Sequence, residues 1–525
     1  MRELPFKSSS RCEEALTLAI ADCRWPVFKN EPSYLGCYKR GKLSHVDWAL
    51  GWLSAMLCVI VLPALGAPDP KSEPGNGHGH RGNGPGQGGT NYFNVTVPAH
   101  AFDLILNRPE NHSVGLSVLA YQDLEGFIAY GRSPGNYSRQ TPTRNFARGE
   151  PVEITLDYLQ PDTRYHYQFR SRAAGAANFT NTSDYSFQTA RPPGSSFTFT
   201  LTADSHLDEH TSAEVYLQTL ANIRAEQPDF HIDLGNLFMT DKHATRAEAA
   251  RQYVAQRFYL GQIGSSVPLL LALGVHDGES SRYDDGSPDS LAPWSNALRK
   301  KYFPNPVPDS FYSGDSIPNP PGGLLENYYA WTWGDALFVV LDPYRYSPAQ
   351  RGGNRDGWAW SLGRTQYDWL AKTLATSTAK YKFVFLHNLL AGDQASRGGV
   401  EIAGFNEWGG KNLDGTDGFA QHRPGWPMPV HQLLVHNQVT AVFKAHDNFY
   451  ARQELDGILY LMVPQPSFAG DDRIRDLQAY GYKHGTLLGN AGHVRVSVAP
   501  QAVMAEYVKS APDAPVADRW VRPEK

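Results

Sequence analysis

Residues 197–206 read FTFTLTADSH, an apolar β-type run that closes on Asp204, Ser205 and His206. A short run of this kind bounded by polar residues predicts a buried strand handing over to a loop. The same grammar recurs along the chain: DFHIDLGN closes on Asn236, PLLLALGVHD on His276 and Asp277, YKFVFLHN on His387, and TAVFKAHDN on His446 and Asn448. Helices predicted over about 212–226 and 245–261 separate the first three runs. Strands that alternate with helices make α/β layers, and ligands in such folds gather beyond the carboxyl ends of the strands. Further runs at ALFVVLD (336–342) and GILYLMV (457–463), with a second group at YYAWTW (328–333) and HVRVSVA (493–499), predict a two-sheet β-sandwich flanked by helices over 195–510.

Upstream of the Arg191-Pro192-Pro193-Gly194 hinge the pattern changes. From 91 to 190 short β runs such as FDLILNR, VGLSVLA and EGFIAYG alternate with turn residues, and no stretch of helical period interrupts them. Ile154, Leu156 and Leu159 share one face, a Pro-Asp turn follows, and Tyr165, Tyr167 and Phe169 alternate along the next strand. This predicts an all-β sandwich with a supporting role. The spelling from Leu159 to Tyr167 resembles fibronectin type III modules, in which a corner tyrosine ties two strands together. Asn94, Asn136 and Asn178 open glycosylation-type sequons.

Residues 67–90 hold twelve Gly or Pro among twenty-four and predict a flexible linker, whose His78 and His80 read as solvated. Before it, Trp48 to Pro68 carries no charge, follows the basic Lys39, Arg40 and Lys42, and ends at the small-residue site Ala64-Leu65-Gly66. Segment 1–66 is therefore expected to hold an export signal, with translation starting nearer Leu43 or Val46 and the mature chain starting near Ala67. The expected address is extracytoplasmic, secreted, periplasmic or anchored, and the export segment is the only membrane contact foreseen. All four cysteines, Cys12, Cys23, Cys37 and Cys58, fall in this region, so no disulfide scaffold is expected downstream. Residues 511–525 read as a tail.

The 48 basic and 53 acidic side chains give a net charge of −5, without the basic excess that phosphate-backbone binding needs, so no nucleic-acid partner is expected.

Aspartate and histidine at i and i+2 after a strand can both turn toward one cation, and histidines from other strands complete a nitrogen and oxygen shell. In order and spacing the motifs ADSH, LGNL, LGVHDGE, FLHN and KAHDN resemble those of the calcineurin-like metallophosphoesterases, in the group with an amino-terminal sandwich typified by purple acid phosphatases. The resemblance covers about 91–510. It implies a two-metal site of Fe, Zn or Mn type acting on a small phosphorylated molecule. Asp204, His206, Asn236, His387, His446 and Asn448 would stand at ligand positions, and His276 with Asp277 would be the acid pair.

Three ligand positions depart from that family. Asn236 stands where the family has the bridging aspartate, Val275 where it has asparagine, and Asn448 where it has the last histidine, while Ala445 replaces a glycine. Two dications about 3.5 Å apart repel by about 19 kcal/mol even at an effective dielectric near 20, and a bridging anion makes the pair tolerable. Two functions follow: a metallophosphoesterase with a weakened or single metal site, or a non-catalytic ligand-binding relative. Arg351, Arg397, Arg423 and Arg452 are candidate phosphate contacts, and 280–325 and 391–427 are long enough to wall a cleft.

Overall fold

The computed structural model describes residues 93–320, 322–347, 357–393, 395–470, 474–489 and 491–524, all within one compact unit, Pro85–Lys525. The export run, the linker, the four cysteines and Arg351 lie outside the described residues.

Phe197–Thr202 pairs in parallel with Phe230–Asp233, and that strand with Leu269–Leu271, in a register that puts Thr202, Asp233 and Leu271 level. The loops that follow them therefore open on one edge. In a second sheet Ala336–Val340, Tyr381–Phe385 and Ala441–Lys444 run parallel in the same way, with Val340, Phe385 and Phe443 level. The two sheets face each other across an aromatic core that includes Phe199, Phe230, Trp331, Phe338, Phe383 and Phe443. Each such ring removed from water contributes about 2 kcal/mol. The first sheet's outer face is covered by Ala213–Glu226 and Arg246–Gly264, the second's by Gly363–Thr376 and Val430–His436. The helix starts follow from capping: Ser212 accepts from the Val215 N–H, and Thr245 with Glu248 forms a reciprocal capping box. The second helix runs three residues past its expected end, because Gly264 fits against Ile105, where a side chain would be tight.

The strands grouped as a second set part company. Tyr329–Trp333 pairs with Ala336–Val340, whereas Gly492–Ala499 pairs with Phe197–Thr202. The stretch read as a tail carries the strand Val516–Pro523, an edge strand paired with Ala502–Lys509; its Trp520 reaches the aromatic core. Its period-2 pattern was hidden by charged residues facing solvent. Residues 91–190 form two layers around their own core, but they are not a detached body. Phe102–Asn107, Val114–Ala120 and Pro151–Leu156 extend the first sheet, through a parallel contact of Asn107 with Leu269. The fully buried Arg257 of the second helix also donates to the Ser117 hydroxyl and to the carbonyls of Ser117 and Tyr302.

Candidate active site at the strand ends

The two sheets' carboxyl ends bring Asp204, His206, Asn236, His276, His387 and His446 into one cluster. Asp204, His206, Asn236, His446 and Asn448 all adopt left-handed backbone angles, with φ between 48° and 86°. Such non-glycine residues cost about 1–3 kcal/mol each in strain and persist only where the surroundings over-determine them. Close backbone approach explains the glycines beside them. A Cβ on Gly235 would meet the Gly274 nitrogen at 2.2 Å, and one on Gly274 would meet the Asn236 nitrogen at 2.1 Å.

Asp204 is fully buried. Its Oδ2 accepts from the His446 backbone N–H at 2.9 Å, and its Oδ1 accepts from Asn236 Nδ2 at 2.9 Å and lies 3.2 Å from His206 Nε2. Burial works against its charge, but the charged His206 and the His446 backbone N–H hold the carboxyl far below its usual range. His206 bonds on both ring nitrogens, the other to Asp208 at 3.1 Å. Burial disfavours its charged form, yet the two carboxylates prevail and push it up to about 9, leaving an imidazolium beside Asp204.

Asn236 decides what this half of the cleft can hold. Its Oδ1 accepts from the His276 backbone N–H at 2.8 Å, which fixes the amide and turns Nδ2 toward Asp204. Where the family resemblance puts a carboxylate between two metals, this chain presents an N–H donor. Val275 packs with Leu273 and Tyr344 in a small apolar cluster, with Trp360 against it. Among the described residues no group of three or more His, Cys, Asp or Glu is arranged to hold a metal ion. The residues present do not fit a pair of metals.

The histidines of the second sheet are in a different state. His387 uses Nδ1 on the Leu234 carbonyl at 2.7 Å and His446 uses Nε2 on the Ala395 carbonyl at 2.8 Å. The other nitrogen of each, His387 Nε2 and His446 Nδ1, is buried without a hydrogen-bond partner, His387 Nε2 lying 3.6 Å from Asp204 Oδ1, and the rings meet edge to face at 5.3 Å. Burial pushes His387 down to about 4 and His446 further, so both are neutral. Asn448 stands half-buried beside them. The Ala445 methyl lies in the aromatic core rather than crowding the loop.

Asp277 is not the partner of His276. It is buried, and its oxygens accept from the backbone N–H groups of Asn236, Gly274 and Phe238 at 2.8–2.9 Å, so it ties two loops together. The carboxylate beside the His276 ring is Asp241, 3.0 Å from Nδ1, which also accepts from the Tyr283 hydroxyl and Arg282. His276 is 22% exposed at the cleft mouth, where burial lowers its pKa and Asp241 partly offsets that. Sequence reasoning missed Asp241 because its only signal is its place on the short turn Thr240–Lys242, just after the LGNL motif. It also missed Gln252 and Gln256, one helical turn apart. Gln252 donates to the carbonyls of His206 and Leu237, and Gln256 to the Leu237 carbonyl and the Ser205 hydroxyl, holding the site loops from beneath.

Of the arginines, Arg397 reaches the site, donating to the His446 carbonyl at 2.7 Å and pairing with buried Asp447. Arg423 instead pairs with buried Glu407, and Arg452 with Asp518. Both are structural.

Two sheets with loops converging at their parallel carboxyl ends, helices outside and histidine-bearing strand ends define a fold of the metallophosphoesterase type. Among solved structures the chain matches PhoD with a TM-score of 0.57 at 17% identity, over 81% of this chain and 90% of PhoD. It also matches a dimetal phosphatase from Danio rerio (TM-score 0.37, 14% identity, 63% of this chain and 99% of that one). GAP50, the anchor in the inner membrane complex of Plasmodium, aligns as well (TM-score 0.34, 12% identity, 63% and 89%). At these identities the likeness to PhoD speaks for the fold alone, and the other two superpose too loosely to bear on the argument. No protein-family model and no curated protein matches the chain.

Proposed function

We propose that this protein is an extracytoplasmic relative of the metallophosphoesterases that binds a small phosphorylated molecule at its strand-end cleft and has lost most or all of the two-metal chemistry. The observation that carries the reading is the pinned amide of Asn236, whose N–H occupies the side of Asp204 that a bridging ion would need. The His206 imidazolium supplies positive charge beside Asp204 from the chain itself. His276, Arg282 and Lys242 stand at 22%, 35% and 39% exposure around Asp241 and offer donors to a phosphate. The layers over 91–190 are read as a fibronectin type III-like support, and the uncharged 48–68 run as the export signal.

The test is binding and turnover of a phosphate monoester before and after chelation. Binding that survives chelator, with hydrolysis near the uncatalysed rate, is expected. Rapid hydrolysis abolished by chelator and restored by two equivalents of metal would overturn the reading. A second reading, a hydrolase working on one cation, is favoured by the unpartnered His387 Nε2 and His446 Nδ1. It predicts chelator-sensitive turnover with one metal per chain.

A further inference from the structure

We propose that the pocket at the end of the strand Leu124–Gly131, in the 91–190 layers, binds an oxyanion carried on a small polar ligand, with a phosphorylated sugar as its chemical class. The pocket is an open surface hollow of about 290 Å³ lined mostly by exposed side chains, and it is remote in sequence from every strand-end motif. That volume lies at the lower end of small-ligand sites and suits one sugar ring with its phosphate.

Its polar lining consists of Arg132, Arg139, Ser133, Ser138, Asn136 and Gln160, and no carboxylate lines it. Elsewhere in this region Arg108 pairs with Glu153 and Arg172 with Glu125, while Arg164 is held by the Ser186 hydroxyl and Arg170 lies over the Tyr137 ring. Arg132 and Arg139 have no ion-pair partner among the described residues. Two guanidinium groups facing one cavity without a counter-charge are the arrangement that oxyanions complete, through charge-assisted and often bidentate hydrogen bonds.

The rim is built before a ligand arrives. Ser133-Pro134-Gly135-Asn136 is a tight turn closed by the Asn136 N–H on the Ser133 carbonyl at 3.1 Å, with Gly135 at φ 75°. Arg139 is held by its Nη1 on the Tyr158 carbonyl at 2.8 Å, which leaves the rest of the fork for a ligand. The Tyr165 hydroxyl accepts from the Gln160 N–H at 3.0 Å and fixes the opposite wall. Groups already ordered by the fold lose little entropy on binding.

The pocket is independent of the cleft, so its test silences the cleft first. Glucose 6-phosphate is titrated calorimetrically into the full chain carrying His276→Ala, with glucose and inorganic phosphate as separate probes. Saturable binding of glucose 6-phosphate, at least ~10-fold tighter than either probe, is expected. Arg132→Gln, which removes no bond of the fold, should weaken it about tenfold, as one lost charge-assisted contact does. Arg132→Gln with Arg139→Gln should abolish it, with circular dichroism checking that the layers stay folded. No saturable binding in the His276→Ala chain, or binding unchanged by Arg132→Gln, would overturn the site. Equal affinity for inorganic phosphate would overturn the sugar phosphate as its ligand.

Discussion

The two sheets deliver their loops to one cleft in opposite states. On the first sheet's side the groups around Asp204 bond to one another: Asp277 gathers three backbone N–H groups, Asn236 spans from the His276 N–H to Asp204, and Val275 is packed in an apolar cluster. On the second sheet's side, His387 and His446 each keep a buried nitrogen with no partner. The two sides therefore differ in how far their polar groups are bonded, although Asp204, Asn236 and His446 all hold left-handed backbone angles.

Reopening the sealed side should produce the largest effect. The triple change Asn236→Asp, Val275→Asn and Asn448→His is expected to raise tightly held metal toward two per chain and phosphomonoesterase turnover by at least ~100-fold. Equal metal content and rate before and after the change would remove the asymmetry. Loosening the first side's lock comes next. Asp277→Ala strips three backbone N–H groups of their acceptor and should cost about 3 kcal/mol in denaturant unfolding. A cost below about 1 kcal/mol would mean that the loops do not depend on it.

Asp277 also predicts a pH dependence. Burial pushes it up to about 6 against an unfolded value of about 3.9. A carboxyl raised on folding binds more protons in the native state, so its stabilising contribution is full below about pH 4 and is lost as pH rises to about 6. Over that window the loss amounts to at most about 3 kcal/mol, and Asp277→Asn should flatten the slope relative to wild type. An unchanged slope would move the titration to another buried carboxyl. The smallest effect is expected on the open side. His387→Leu loses one bond to the Leu234 carbonyl but also removes an unsatisfied nitrogen, for a net cost of about 1 kcal/mol or less.

Much of the fold was legible because strand, cap and turn signals agree locally. The runs ending at Asp204, Asn236, His276, His387 and His446 are short, mostly apolar or β-branched stretches that each close on polar residues, and Ser212 and Thr245 mark helix starts. What pairs with what was less legible. The strand Val516–Pro523 is mostly solvent-facing, with Val516 and Val521 exposed and only Trp520 buried, so its sequence VADRWVRP reads as a tail. At the site, the motifs located the side chains but not their bonds. Asp277 follows His276 directly, yet consecutive residues in a turn point apart, and the carboxylate that meets the His276 ring comes from Asp241 on another loop. The pinning of Asn236 depends on a backbone N–H forty residues away. No local pattern encodes such a contact.

The most direct test of the sealed site is metal stoichiometry. The full chain, loaded with excess Mn²⁺, Zn²⁺ or Fe³⁺ and dialysed against metal-free buffer, is measured by elemental mass spectrometry. The account predicts fewer than about one ion per chain in every case, since the second ion lacks its bridging carboxylate. Two ions retained per chain would contradict it and make Asn236 a working ligand.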